Sequence, residues 1–237
     1  MVSEPQIEFQ QHPPIHSAPL IQRVEYIKNI CRGKKVLHLG CANYPYTEMS
    51  IANGTNLHFD LMNIAAELYG FDYDQPGIDI FERHGIKNIY RADAERLEDV
   101  PLDEKFEVII AGEIIEHLSN PGLFLRGIQR FMNRDTKLIV TTINAYGGFR
   151  FLVYGFKGKG GWNEPVHLDH VAYYSYSTLS LIIRRQNLKI NKFYFYDVGV
   201  EHRGLLNWRQ RIANDICVRI SPLWCDGIIA ECALPDQ

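Results

Sequence analysis

No C-x-x-C pair occurs in this chain, and its five cysteines (Cys31, Cys41, Cys217, Cys225 and Cys232) are odd in number and sit mostly in apolar segments. A disulfide framework is therefore excluded, and reduced thiols are expected. No apolar run reaches the roughly 18 residues of a membrane span, and the opening MVSEPQIEFQQHPP lacks the charged-then-apolar pattern of a signal peptide. A cytoplasmic protein without a membrane span is expected. Charge of one sign is also missing: 25 Lys and Arg stand against 28 Asp and Glu, a formal net charge of −3. That balance speaks against general nucleic-acid binding. No internal repeat or low-complexity tract interrupts the 237 residues, a length suited to one α/β domain.

What is there alternates. Residues 1–16 carry Pro5, Pro13 and Pro14 without periodicity and are expected to form a flexible arm, with a single domain over 17–237. Leu20, Ile21, Val24, Ile27, Lys28 and Ile30 repeat at helical spacing, so a helix is expected over 17–31. Lys34 to Leu39 then reads as a buried strand that opens into a glycine turn. A helical region follows, then a strand over 68–72, a helix over 77–84 and a strand over 88–91. After these come an apolar strand over 106–111, an amphipathic helix over 120–132 and a buried strand over 137–142. Such alternation predicts an α/β fold: a doubly wound, mostly parallel seven-stranded sheet with helices on both faces. Residues 144–175 read as a substrate-side insertion whose first part is too rich in glycine and aromatics to assign. Beyond it lie a helix over 177–186, a strand over 188–196, a helix over 205–220 and a terminal strand over 227–234.

Chemistry is expected where strands end, because open α/β sheets bind ligands at their carboxyl edge. Gly40, Cys41 and Ala42 place a tight turn and small side chains after the first long strand. Asp72 closes the next strand, where a carboxylate can accept both hydroxyls of a ribose; the bland alternative is a helix N-cap, which is preferred for Asp74. Asp93 and Ala94 follow the third, where an acceptor can meet the amino group of an adenine, although an acid at a strand edge also serves solubility. Glu113, Glu116 and His117 are spaced i, i+3 and i+4, so a helix there would put them on one face; otherwise they are a helix start favoured by the dipole. His167, Asp169 and His170 form a second polar cluster, read either as proton acceptors or as residues that order a loop. Tyr146, Phe149, Phe151, Tyr154, Phe156 and Trp162 are read as an apolar wall over a substrate, as core, or as partner surface. Arg203, Arg209, Arg211 and Arg219 favour either an anionic acceptor or a solvated helix face.

In order and position these segments resemble the class I S-adenosylmethionine-dependent methyltransferases. Val36-Leu37-His38-Leu39-Gly40-Cys41-Ala42-Asn43-Tyr44 matches a first motif that usually reads V-L-D-L-G-C-G-x-G. Gly70-Phe71-Asp72 matches the second, Arg91-Ala92-Asp93-Ala94 the third, and the run from Phe106 through Glu113, Glu116 and His117 to Leu118 the fourth. The likeness continues in 138–144 and 170–175. His38 departs from the usual acid, and Ala42 and Tyr44 from two glycines.

The resemblance implies a Rossmann-like fold with S-adenosylmethionine as cofactor and S-adenosylhomocysteine as product. It implies cofactor binding by Gly40, Cys41, Ala42, Asp72, Tyr73, Asp93, Ala94 and Glu113, with His117, His167 and His170 as candidates for removing the acceptor's proton. A hydroxyl on a small molecule or sugar is the expected acceptor, without a metal. Two alternatives remain open. Glu113, Glu116, His117 and His170 are also four residues of the types that ligate a divalent ion, a pattern similar to that of small-RNA 3′-terminal 2′-O-methyltransferases. The altered first motif is compatible with a non-catalytic binding protein of the same fold. Oligomeric state is not legible.

Overall fold

The computed structural model describes residues 19–157, 169–199, 203–204 and 206–235. The expected arm (1–16) lies outside them, as does the middle of the expected insertion. Eight strands form one sheet in the order β1-β7-β8-β6-β5-β2-β3-β4. They are β1 (Leu20–Ile21), β2 (Lys35–Leu39), β3 (Glu67–Asp72), β4 (Ile89–Arg91), β5 (Phe106–Gly112), β6 (Met132–Ile143), β7 (Lys189–Tyr196) and β8 (Gly227–Ala233). All pairings are parallel except those of β8, which runs antiparallel to both β6 and β7.

Helices fill the connections: α1 (Arg23–Cys31), α2 (Thr47–Ala52), α3 (Leu57–Met62), α4 (Gln75–Arg83), α5 (Pro121–Gly127), α6 (Gly148–Lys157), α7 (Tyr176–Arg185) and α8 (Trp208–Ile220). The central strands are apolar throughout because both faces are covered, and neighbouring side chains go to opposite layers. Leu37, Leu39, Ile109, Ala111, Leu138 and Val140 pack in one core. Val36, Val108, Ile110 and Ile139 pack in the other, together with Ile27 and Cys31 of α1 and Leu61 of α3. Truncating any one of the fully buried aliphatics to Ala is expected to cost about 2–5 kcal/mol.

Three expectations are corrected. The sheet has eight strands rather than seven, because Leu20 and Ile21 pair with Phe195 and Tyr196 instead of starting the first helix. The pairing begins one residue earlier, where the Pro19 carbonyl accepts a hydrogen bond from the Phe195 amide. The helical region after Gly40 is two short helices, parted at Gly54 (φ 63°) and restarted by Asn56, whose side chain accepts from the His58 and Phe59 amides. The helix expected over 120–132 tightens to a 3-10 turn at Ile128–Phe131, and β6 begins at Met132.

Candidate active site

The carboxyl ends of β2, β3, β4 and β5 lie along one edge of the sheet, and the segments that leave them interlock. Gly40 turns the chain out of β2 with φ 67°, a backbone region that suits glycine. A Cβ there would come within 2.8 Å of Ile114 Cγ2, so the segment after β5 lies directly against this turn. The Gly40 and Cys41 amides both point to the Phe71 carbonyl, at 2.8 and 3.4 Å. The side chains of Cys41 and Ala42 pack with Phe81 and Ile86 in a small core, and Gly40 alone of the three is exposed. Gly77, at the start of α4, lets that helix close on the turn, since a Cβ there would sit 2.8 Å from Ala42 Cβ.

Asp72 is buried, and both of its oxygens are engaged: Oδ2 accepts from the Ala42 amide at 2.7 Å and Oδ1 from the Asp74 amide at 3.0 Å. Burial raises its pKa, and these backbone donors pull the other way. Each carboxylate oxygen keeps a second acceptor site for a ligand hydroxyl. Asp74 does occupy the N-cap position of α4, as expected, but its side chain makes no capping bond. Beyond β3 and β4 opens a cleft of about 430 Å³ lined in part by Tyr73, Arg91, Ala92, Asp93 and Val100. Tyr73 stands exposed beneath the Arg91 guanidinium, and Asp93 Oδ1 accepts from the Glu95 amide at 2.9 Å. Ala94 packs at the margin of the main core.

His38, where an acid is usual, does not face this cleft. It is buried with its Nδ1 3.3 Å from Nδ1 of His58, the two rings stacked at 5.5 Å. Desolvation, then the neighbouring charges of His58 and Arg23, hold His38 well below the usual imidazole range, and burial lowers His58 to about 4. The pair is neutral, one ring donating to the other.

After β5 the expected helical face does not form. Glu113 takes a positive φ of 52°, and only a 3-10 turn, Ile115–His117, follows. The Glu113 side chain is drawn aside: its Oε1 accepts from the Tyr196 hydroxyl at 2.7 Å, and Oε2 lies 3.9 Å from Arg23. The Glu116 carbonyl accepts from the Val171 and Ala172 amides, which brings His170 to His117 with ring centroids 4.5 Å apart and nearly perpendicular. Ligand atoms of Glu116, His117 and His170 lie within 4.8 Å of one another. Among the described residues, the set of four ligating residues read from the sequence is thus three, because Glu113 turns to Tyr196.

Glu116 is fully buried, and neither carboxylate oxygen accepts a hydrogen bond from any described residue. Desolvation and the charge of Glu113 push its pKa up to about 8, only partly opposed by its backbone surroundings and by Thr142, which lie outside hydrogen-bond geometry. Asp169 stands exposed next to His170, whereas His167 and Trp162 lie outside the described residues. Of the expected aromatic wall, Tyr146 and Phe151 are exposed and Phe149 is half-buried. Sequence reasoning missed Arg23 and Tyr196, and also the half-buried ion pair of Arg150 and Asp226 at 2.7 Å. These contacts join distant segments and leave no local signal.

Residues 17–192 match a family described as a methyltransferase domain. A ubiquinone biosynthesis O-methyltransferase of Azorhizobium caulinodans is 30% identical over 118 residues, 48% of this chain and 42% of that protein. One from Pelagibacter ubique is 24% identical over 172 residues, 70% of this chain and 64% of that protein. The chain therefore spans about two fifths to two thirds of the length of these curated relatives. A methyltransferase structure from Archaeoglobus fulgidus superposes with a TM-score of 0.56 at 18% identity, covering 88% of this chain and 91% of that one. Another, from Aquifex aeolicus, has a TM-score of 0.53 at 16% identity and covers 90% and 88%. At such identities the structural likeness establishes the fold.

Proposed function

The chain belongs to the class I S-adenosylmethionine-dependent methyltransferase family, and from that premise we propose that it methylates a hydroxyl on a small molecule, a sugar included. The cofactor is S-adenosylmethionine, which supplies an electrophilic methyl on a sulfonium. The residues present fit it. Gly40, exposed and without a side chain, lets a ligand approach the turn closely, and Asp72 retains acceptor sites for ribose hydroxyls. In this reading Tyr73 and Asp93, which line the cleft, take the adenine with Ala94 beside them, and Glu113, at the end of β5, takes the amino-acid portion.

One observation carries the choice of reaction. The segment holding Glu116 and His117 lies against the Gly40 turn through Ile114, and it gathers His170 to the same point. Two imidazoles able to accept a proton thus gather on the segment that begins against the proposed cofactor turn. Their work is to orient the acceptor hydroxyl, with the reacting atoms at about 3–3.5 Å, and to take its proton at an imidazole nitrogen. The oxygen acceptor agrees with the O-methyltransferase names of the relatives.

A second reading rests on the Glu116 carboxylate, buried beside two imidazoles without a hydrogen-bond donor. A divalent cation bound by Glu116, His117 and His170 would satisfy it and would favour its ionised form. Transfer of labelled methyl to a panel of phenols and sugars, run with and without exhaustive chelation, separates the two readings. Turnover that survives chelation and falls about 100–10,000-fold in His117→Ala or His170→Ala supports the imidazole base. Loss on chelation with recovery on adding manganese or magnesium supports the metal. Methylation of nitrogen alone would overturn the hydroxyl assignment.

A further inference from the structure

Helix α8 covers its inner side well and leaves its outer side apolar. Asn214 and Cys217 are buried, and the Asn214 side-chain amide donates to both oxygens of Asp197 at 3.0 Å. Yet Trp208, Ile212, Ile216 and Ile220 are exposed by 65, 50, 53 and 66%. Spaced four residues apart, they form one stripe along the whole helix, about 18 Å at the rise of an α-helix. A solvated helix face would place polar residues there.

Charge decides what this stripe fits. The helix carries Arg209, Arg211 and Arg219 against one acid, Asp215, and Asp215 is already paired with Arg203 at 2.6 Å. On a helical wheel Arg209 and Arg219 fall within the apolar sector rather than opposite it, and the Arg209 guanidinium lies over the Trp208 ring at 5.2 Å. In a helix-to-helix interface between two copies these arginines would be brought together and desolvated. At a bilayer surface their long stems lie along the apolar layer while the guanidinium groups reach lipid phosphates. Tryptophan also suits that boundary.

Topology gives the stripe a direction. Strand β7 runs parallel to β6, both being antiparallel to β8, so α8 leaves the sheet at the edge where β2, β5 and β6 end. Helix α6 leaves β6 at the same edge and packs on α8, a Cβ on Gly148 lying 3.0 Å from Cys217 Cβ. Its Phe151 and Leu152 are exposed as well.

We propose that α8 is an interfacial helix, which seats the ligand edge of the sheet on an anionic membrane surface through Trp208, Ile212, Ile216 and Ile220, with Arg209 and Arg219 bound to lipid phosphates. This attachment is peripheral, since no helix among the described residues is long and apolar enough to cross a membrane. It stands apart from the choice of methyl acceptor. The test is co-sedimentation of the full chain with vesicles of phosphatidylcholine and phosphatidylglycerol at about 7:3, beside vesicles of phosphatidylcholine alone.

The expected result is about tenfold more protein bound to the anionic vesicles, a difference that shrinks at high salt. Ile212→Glu with Ile216→Glu should remove it, at an unchanged melting temperature because both sites are exposed. Should that variant fold poorly, Arg209→Gln with Arg219→Gln provides the second reading and should cut binding to anionic vesicles by about tenfold. Equal sedimentation with both vesicle types, or binding retained in both variants, overturns the proposal. So does a dimer in light scattering that the isoleucine variant splits while neither vesicle binds protein, which would assign the stripe to a second copy of the chain.

Discussion

Asp72 accepts the Ala42 amide at 2.7 Å and so fastens the end of β3 to the turn that leaves β2. The acid proposed to bind the cofactor therefore also shapes the turn proposed to receive it. Asp72→Ala removes a charged acceptor and leaves the buried Ala42 amide without one. Cofactor affinity should fall by about 10–150-fold, corresponding to about 1.5–3 kcal/mol for hydrogen bonds to a charged group, and the melting temperature should fall as well. Calorimetry and thermal melting measure the two effects. Unchanged affinity in a folded variant would remove Asp72 from the site.

Acid should destabilise the fold through the imidazole pair. His58 titrates near 6.5 when unfolded and about 4 when folded, and His38 is also lowered, so the unfolded state binds more protons between those values. The stability held by the neutral pair is fully present above about pH 6.5 and is lost as pH falls toward 4, with His58 contributing on the order of 3 kcal/mol. His58→Gln preserves a hydrogen-bonding neighbour that does not titrate. Its melting temperature, followed from pH 7 to pH 4 against the parent protein, should fall less steeply; parallel curves would show that the pair does not govern acid stability.

Glu116 should act in the opposite sense. Its folded pKa of about 8 lies above the ordinary 4.5, so the folded state holds the extra proton between these values. Stability is fully present below about 4.5 and is lost as pH rises through 8. With a chelator present, Glu116→Gln should be more stable than the parent at pH 9 relative to pH 6, because no charge need be buried. Identical pH dependence of the two proteins would mean that Glu116 is solvated or partnered. In the metal reading, manganese should raise the parent's melting temperature at pH 8 and leave the variant unchanged.

Gly40→Ala should impair the site without removing any functional group. The new Cβ must accept φ 67°, at about 1–2 kcal/mol, and displace the Cγ2 methyl of Ile114. Reduced cofactor affinity together with a lower melting temperature is expected. A variant with parental affinity would show that the turn does not contact the cofactor.

The sheet was legible because its strands are buried on both faces: Val36 to Leu39, Val108 to Ala111 and Leu138 to Val140 read as continuous apolar runs. The strand β1 was not, since Leu20 and Ile21 become a strand only by pairing with Phe195 and Tyr196. Among the proposed site residues, the motif order marks Gly40, Asp72, Asp93 and the segment from Glu113 to His117. The spacing then suggested a helical face that the positive φ of Glu113 prevents. What holds Glu113 there is Tyr196, 83 residues away, and no local periodicity reports such a contact. His38 was visible as a departure from an acid, but its partner His58 arrives on a separate helix and only packing reveals it.

The central claim is that the turn after β2 and the Asp72 carboxylate form a binding site for S-adenosylmethionine. Isothermal titration of the protein with S-adenosylmethionine, and then with S-adenosylhomocysteine in competition, tests it most directly. The expected result is saturable binding of each at one site per chain, with the two competing and both weakened in Asp72→Ala. No binding of either compound to the folded protein would contradict the account.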